Sequence, residues 1–277
     1  MTSTSATTRR GEVPPAFGRI VCGLDGSRSS HIAAEQAIAL SGPSTALVFV
    51  CVRDIRGAGA TRQTSISGER AETALAEAVR AASEAGIDAA AEILPGQDPR
   101  SVLLEEASRS DLLVVASHGG SRAGGIALGS TATAAVHRAH VPVLVARQPP
   151  EEVAFPERIL VATDGSPDAA RAVELAVRIG HCHRSTLYLL SVDAARHGHA
   201  HQVAAEIVDL RAALGGRPTV IRASGKADES ILETAASESV ALVILGSRGL
   251  SGARALGSVS ERVAHRAPCS VLVARPS

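Results

Sequence analysis

Short apolar runs recur along the chain, and between them apolar positions fall three and four residues apart. Residues 20–24, 46–52, 89–94, 112–116 and 142–146 are apolar runs of strand length, and so are 159–162, 186–192, 219–223, 241–245 and 270–274. Runs of this kind predict strands buried on both faces. The intervening stretches predict helices. Ala71, Ala74, Leu75, Ala78, Val79 and Ala82 form one helical stripe, closed by Gly86. Asp98-Pro99 sets a capping carboxylate before a first-turn proline and opens a helix to about residue 108. Ser166-Pro167 does the same for a helix reaching about residue 179. Further helices are predicted at 30–40 and 201–214, and starting near residues 130, 228 and 258, while 53–68 reads as a polar loop.

Strands alternating with helices imply parallel sheets with right-handed crossovers. The order also repeats. Both halves open alike, with Arg19-Ile-Val-Cys-Gly-Leu-Asp-Gly-Ser27 and Arg158-Ile-Leu-Val-Ala-Thr-Asp-Gly-Ser166, and end alike, with Val141-Pro-Val-Leu-Val-Ala-Arg147 and Cys269-Ser-Val-Leu-Val-Ala-Arg275. This is an internal duplication with a period of domain size, so each copy carries its own core. The predicted organisation is a disordered tail at 1–17, α/β domains at 18–147 and 158–277, and a proline-containing linker at 148–157. The fold class is α/β: two tandem doubly wound domains, each a five-stranded parallel sheet with helices on both faces. Ligands of such sheets bind beyond the carboxyl ends of the strands, at the point where strand order reverses. If the first and fourth strands are neighbours, Asp25 and Asp164 face the loops that follow the fourth strands.

Those loops are glycine-rich. After the apolar run at 112–116 comes Ser117-His118-Gly119-Gly120, continuing to Gly129-Ser130-Thr131; after 240–245 comes Gly246-Ser247-Arg248-Gly249, continuing to Gly257-Ser258-Val259. A strand, a glycine loop and a helix start together make an anion site, because backbone N–H groups can approach a phosphate and the helix N-terminus carries partial positive charge. Assembled, these residues make the chain resemble a tandem universal stress protein over about residues 18 to 275. In that family the nucleotide-binding members carry Gly-x2-Gly-x9-Gly-[Ser/Thr]. The aspartate after the first strand lies at the adenine pocket, and the loop holds ribose and phosphates. By position, the resemblance implies Asp25, Ala116, Gly119, Gly129, Ser130 and Thr131 as site residues in the first half. In the second half it implies Asp164, Gly246, Gly249, Gly257, Ser258 and Val259. Val50 and Val192, late in the second strands, would flank the adenine. Each half departs from the pattern once: Ala116 replaces the leading glycine, and only seven residues separate Gly249 from Gly257.

Several residues also have purely structural readings. Ser258-x-x-Glu261 has the form of a capping box, so Ser258 reads either as a phosphate contact or as a helix cap. Asp25 and Asp164, each before Gly-Ser, suit turns as well as a nucleotide pocket. Arg122 and Arg248 lie in the glycine loops and read equally as phosphate ligands or surface charges. His181, His183, His197, His199 and His201 are placed in loops and a helix start and read as a solvated surface, not a metal site. Lys226 follows Gly225 without a P-loop pattern around it.

Composition narrows the classes. Aromatic residues make up 1% of the 277, too few for stacking platforms on single-stranded nucleic acid. Twenty-eight basic residues balance 28 acidic ones, so no overall field favours nucleic acid or an anionic membrane. Cys22, Cys51, Cys182 and Cys269 are scattered and read as reduced, mostly buried thiols. No apolar run is long enough to span a membrane, and Arg9-Arg10 lacks the apolar segment of an export signal. The expectation is a cytoplasmic, non-enzymatic stress-response regulator that binds adenine nucleotide, ATP with or without magnesium, and signals by occupancy to a regulatory protein partner. The alternative is a nucleotide-free interaction module of the same fold. The matching last strands suggest that the two halves pair internally, and a homodimer is a further expectation.

Overall fold

A computed structural model of the chain describes residues 14–53, 68–119, 128–192, 218–248 and 256–275, together with 201 and 205. In the first half the elements are β1 (Arg19–Leu24), α1 (Arg28–Leu40), β2 (Ala46–Arg53), α2 (Gly68–Glu84), β3 (Ala89–Pro95), α3 (Pro99–Ala107), β4 (Leu112–Ala116), α4 (Ser130–Arg138) and β5 (Val143–Ala146). The second half has β6 (Arg158–Thr163), α5 (Pro167–His183), β7 (Thr186–Val192), β8 (Thr219–Ala223), α6 (Ala227–Ser237), β9 (Leu242–Gly246), α7 (Ser258–Arg266) and β10 (Ser270–Ala274). The helix predicted at 201–214 and the loop at 53–68 lie almost wholly outside the described residues.

All the strands join in one ten-stranded sheet, ordered β3-β2-β1-β4-β5-β10-β9-β6-β7-β8. Within each half the strands are parallel, and β5 meets β10 antiparallel, with Leu144 opposite Leu272. The predicted internal pairing of last strands is therefore the seam of the molecule. Two strand edges that separate domains would leave exposed are covered by one another.

The strands are apolar on both sides because both sides are covered. Ile20, Cys22 and Leu24 of β1 join Leu47, Phe49 and Cys51 of β2 in a core with α1, α2 and α5. Val21, Val48 and Val50 point the other way, into a second core with α3, α4, α6 and α7. Each core runs across the seam without a break. Cys22, Cys51 and Cys269 are buried in these cores and Cys182 is partly exposed; all four are free thiols. Burial pushes the thiols of Cys51 and Cys269 up to about 12, so they stay protonated.

One helix runs past its predicted end. The helix predicted to reach about residue 179 continues to His183 and closes on Arg184 in the left-handed region, at φ 55°. Gly180 is a packing position: a Cβ there would stand 2.9 Å from the Leu187 side chain on β7. His181 and His183 thus occupy the last helical turn, not a loop, and burial holds the His183 pKa below its ordinary value. Among the described residues no three His, Cys, Asp or Glu side chains gather as a metal set, and His197 and His199 lie outside those residues.

Candidate functional site

The condition set by the sequence holds: β1 pairs with β4, and β6 with β9. In each half the strand order reverses between these two neighbours, so the segments leaving their carboxyl ends face each other. The aspartates occupy equivalent turns. The Ser27 N–H donates to Asp25 Oδ1 and the Ser166 N–H to Asp164 Oδ1, both at 3.0 Å. Gly26 and Gly165 follow at φ 68° and 76°, a conformation that L side chains rarely adopt. Ser27 and Ser166 then cap α1 and α5, accepting from the Ser30 and Ala169 N–H groups.

In the first half Asp25 and the glycine loop meet. A Cβ built on Gly119 would lie 2.8 Å from Asp25 Oδ2, so the absent side chain of Gly119 is the space the carboxylate uses. The loop closes on itself where the Gly129 N–H donates to Ser117 O at 2.8 Å. The second loop closes by the matching bond, Gly257 N–H to Ser247 O at 2.6 Å. The two-residue difference between the loops therefore falls between matching anchors, and Gly249 lies outside the described residues.

Both loops lead into helices with open N-termini. The N-cap of α4 is Gly129 and that of α7 is Gly257, and neither helix has a side-chain capping bond. The capping box read at Ser258 does not form, because Ser258 is already the first helical residue and its backbone has passed the capping position. Glu261 faces across the seam instead, with a carboxylate oxygen 3.3 Å from His137 Nε2. Ser130 and Ser258 are exposed, and Thr131 and Val259 are half-buried beside them.

The remaining expected residues separate. Val50 is fully buried in the second core, and the parallel register aligns Val192 with Val52 instead. Ala116 is half-buried, whereas its counterpart Gly246 is buried. A Cβ on Gly246 would come within 2.7–2.9 Å of the Asp168 carbonyl group and the Ala169 nitrogen. The leading glycine of the second half thus serves close packing of β9 against the start of α5. A cavity of about 280 Å³ opens beside the Asp25 turn, lined by Gly26 and His31 and by Arg70 and Glu77 of α2. A cavity of about 320 Å³ lies away from both glycine loops, at the seam beside α5.

Residues that the pattern did not flag hold the clefts and the seam. Asp168 accepts from Ser247 Oγ at 2.7 Å and from the Arg248 N–H at 3.0 Å. Arg147 donates to the Ala264 carbonyl at the end of α7, and Arg275 to the Val136 carbonyl in the last turn of α4. The signal for the two arginines was present, since each ends its half's repeat. For Asp168 it was the mismatch between copies, because Ser29 stands at the equivalent place.

The fold and its clefts define a class: a fused pair of doubly wound α/β units, each with an aspartate turn opposite a glycine loop. The sequence model of the universal stress protein family matches residues 16–147 and again 156–275. The chain belongs to that family, as a tandem two-domain member. One half is 31% identical over 135 residues to a universal stress protein of Thermus aquaticus, spanning 42% of this chain and 97% of the relative. A Bacillus subtilis relative, universal stress protein YxiE, is 28% identical over 145 residues, spanning 43% and 98%. Over nearly full length, the chain is similar to the crystal structure of a universal stress protein from Archaeoglobus fulgidus. That similarity has a TM-score of 0.74 at 25% identity and covers 94% of this chain and 99% of the other. Among the described residues no helix is long and apolar enough to cross a membrane.

Proposed function

We propose that the cleft of the first half binds an adenine nucleotide, ATP with or without magnesium, and that occupancy biases the protein toward a regulatory partner. The observation that carries this reading is the contact between Asp25 and Gly119 beside the uncapped start of α4. A carboxylate that can accept from a base amine or a ribose hydroxyl stands next to backbone donors suited to phosphate. Those are the two recognition chemistries that a nucleotide requires at once. The output is binding, not turnover, in keeping with a family that is generally regulatory.

The test is calorimetric titration of ATP–Mg²⁺ into the purified chain, with extraction of any nucleotide that co-purifies. Saturable binding is expected, and Asp25→Ala should weaken it at least tenfold, about 1.4 kcal/mol. No heat up to millimolar ATP, with no nucleotide retained, would leave the chain as an interaction module of the same fold.

A further inference from the structure

We infer that the second cleft is closed from within: the Asp168 carboxylate occupies the anion-recognising groups of the second glycine loop and keeps nucleotide phosphates out. The inference rests on the reading above only in taking ATP as the ligand to be excluded.

Asp168 stands in the first turn of α5, yet its side chain reaches across the cleft to the end of β9. It accepts from Ser247 Oγ at 2.7 Å, from the Arg248 N–H at 3.0 Å and from Arg248 Nε at 3.2 Å. A backbone N–H at the opening of a glycine loop is the kind of donor that a phosphate takes up. Here it is already bonded to a carboxylate whose side chain is 11% exposed. An incoming phosphate would have to displace a charge-assisted bond, or else lie within a few ångströms of a like charge in a partly desolvated site.

Two further features hold the cleft shut, and these and the Ser247 bond are all missing from the first half. Gly246 lets β9 press against the backbone at Asp168, while Ala116 holds a methyl at that place. Ser260 of α7 donates to the Gly246 carbonyl at 2.7 Å, while its counterpart Ala132 has no hydroxyl. Ser247 is engaged by Asp168, while Ser117 Oγ lies 3.0 Å from Nδ1 of its own neighbour His118. The two copies differ together, at residues from two helices and one strand, in the sense that opens one cleft and fills the other.

The experiment titrates ATP–Mg²⁺ into the full chain and into Asp168→Ser, which restores the first half's residue, with thermal melting as the check of folding. Asp168→Asn, which keeps the side-chain volume but removes the charge, is the second variant in case the first does not fold. The expected stoichiometry is one equivalent for the unaltered chain and two for either variant. It should return to one when Asp25→Ala is added. An unaltered chain that binds nothing, with a variant that gains one equivalent, would support the closure while overturning the first-half reading. One equivalent for both the unaltered chain and the variants would overturn the closure and keep that reading. No binding in any form would overturn both. Two equivalents in the unaltered chain, one surviving Asp25→Ala, would show the second cleft open with Asp168 in place.

Discussion

Gly119 and Gly246 stand three residues apart in the aligned loop pattern, and each lacks a side chain for a different steric reason. The neighbour of Gly119 is the end of a side chain, the Asp25 carboxylate, which can swing away. The neighbours of Gly246 are backbone atoms at the start of α5, which cannot move without shifting the helix. Gly119→Ala is therefore expected to leave the denaturation midpoint nearly unchanged and to weaken ATP binding by tenfold or more, through displacement of Asp25. Gly246→Ala is expected to cost about 1–3 kcal/mol in urea unfolding, the usual range for overpacking, with ATP binding by the first half retained. If Gly246→Ala unfolded at the same urea concentration as the parent chain, the close approach of β9 to α5 would be wrong.

At the scale of elements, the second half ties α6 to α7 through one buried carboxylate. Arg262 Nε donates to Asp228 Oδ2 at 2.7 Å, with Nη2 3.3 Å from Oδ1, and Arg266 lies within 4.0 Å. Burial alone would raise the Asp228 pKa, but the bonds and charge of Arg262 outweigh it and hold the carboxyl below its ordinary 3.8. Because the folded value is the lower one, the pair's contribution is fully present above the unfolded value and is lost as pH falls through the folded one. Asp228→Asn should thus destabilise the protein at neutral pH, by about 1–3 kcal/mol, and flatten the loss of stability between about pH 4 and the folded pKa. A variant that melts with the parent's pH profile would show that the pair contributes nothing. The elements themselves were legible because binary pattern and local chemistry agreed: the stripe of α2, the Asp98-Pro99 start of α3 and the Gly86 stop all stand where the residues place them. The reading failed where a residue's local preference was overruled by a distant contact. The helix read to about residue 179 runs on to His183, with Gly180 inside it making room for Leu187. Ser258 follows a loop-closing glycine, so it cannot cap. The aspartate turns and glycine loops were visible as a candidate site, but Asp168 was not, since an acidic residue in a first helical turn is ordinary and its partners lie about 80 positions away.

Across the whole molecule, each half grips the other's last helix. Arg147, at the end of the first half, donates to the carbonyls of Ala264, His265 and Cys269, while Arg275 donates to the Val136 carbonyl in α4. Burial pushes the Arg147 guanidinium down to about 10, which still leaves it charged at neutral pH. The bonds to Ala264 and Val136 satisfy carbonyls that a helix end leaves without intrahelical donors, and they cross the β5–β10 seam in opposite directions. A second thread crosses at the candidate site itself, where the Leu128 N–H, just before Gly129, donates to His265 Nδ1 at 3.4 Å. The nine-residue helix α4 therefore has the proposed phosphate site at one end and a residue of the other half at its opposite end. Occupancy of the first cleft should be felt by the second half through this helix. In the parent chain, ATP is expected to raise a single cooperative melting transition, by an amount set by RT ln(1 + [ATP]/Kd). In the double variant Arg147→Ala, Arg275→Ala, each lost cap should cost about 1–3 kcal/mol, and the transition should broaden or divide. ATP should then move only the part belonging to the first half, which hydrogen exchange resolved by peptide can assign. If ATP protected β7 and β8 equally in the parent and the double variant, coupling would run through the apolar seam of β5 and β10 alone, and the arginines would serve only to end their helices.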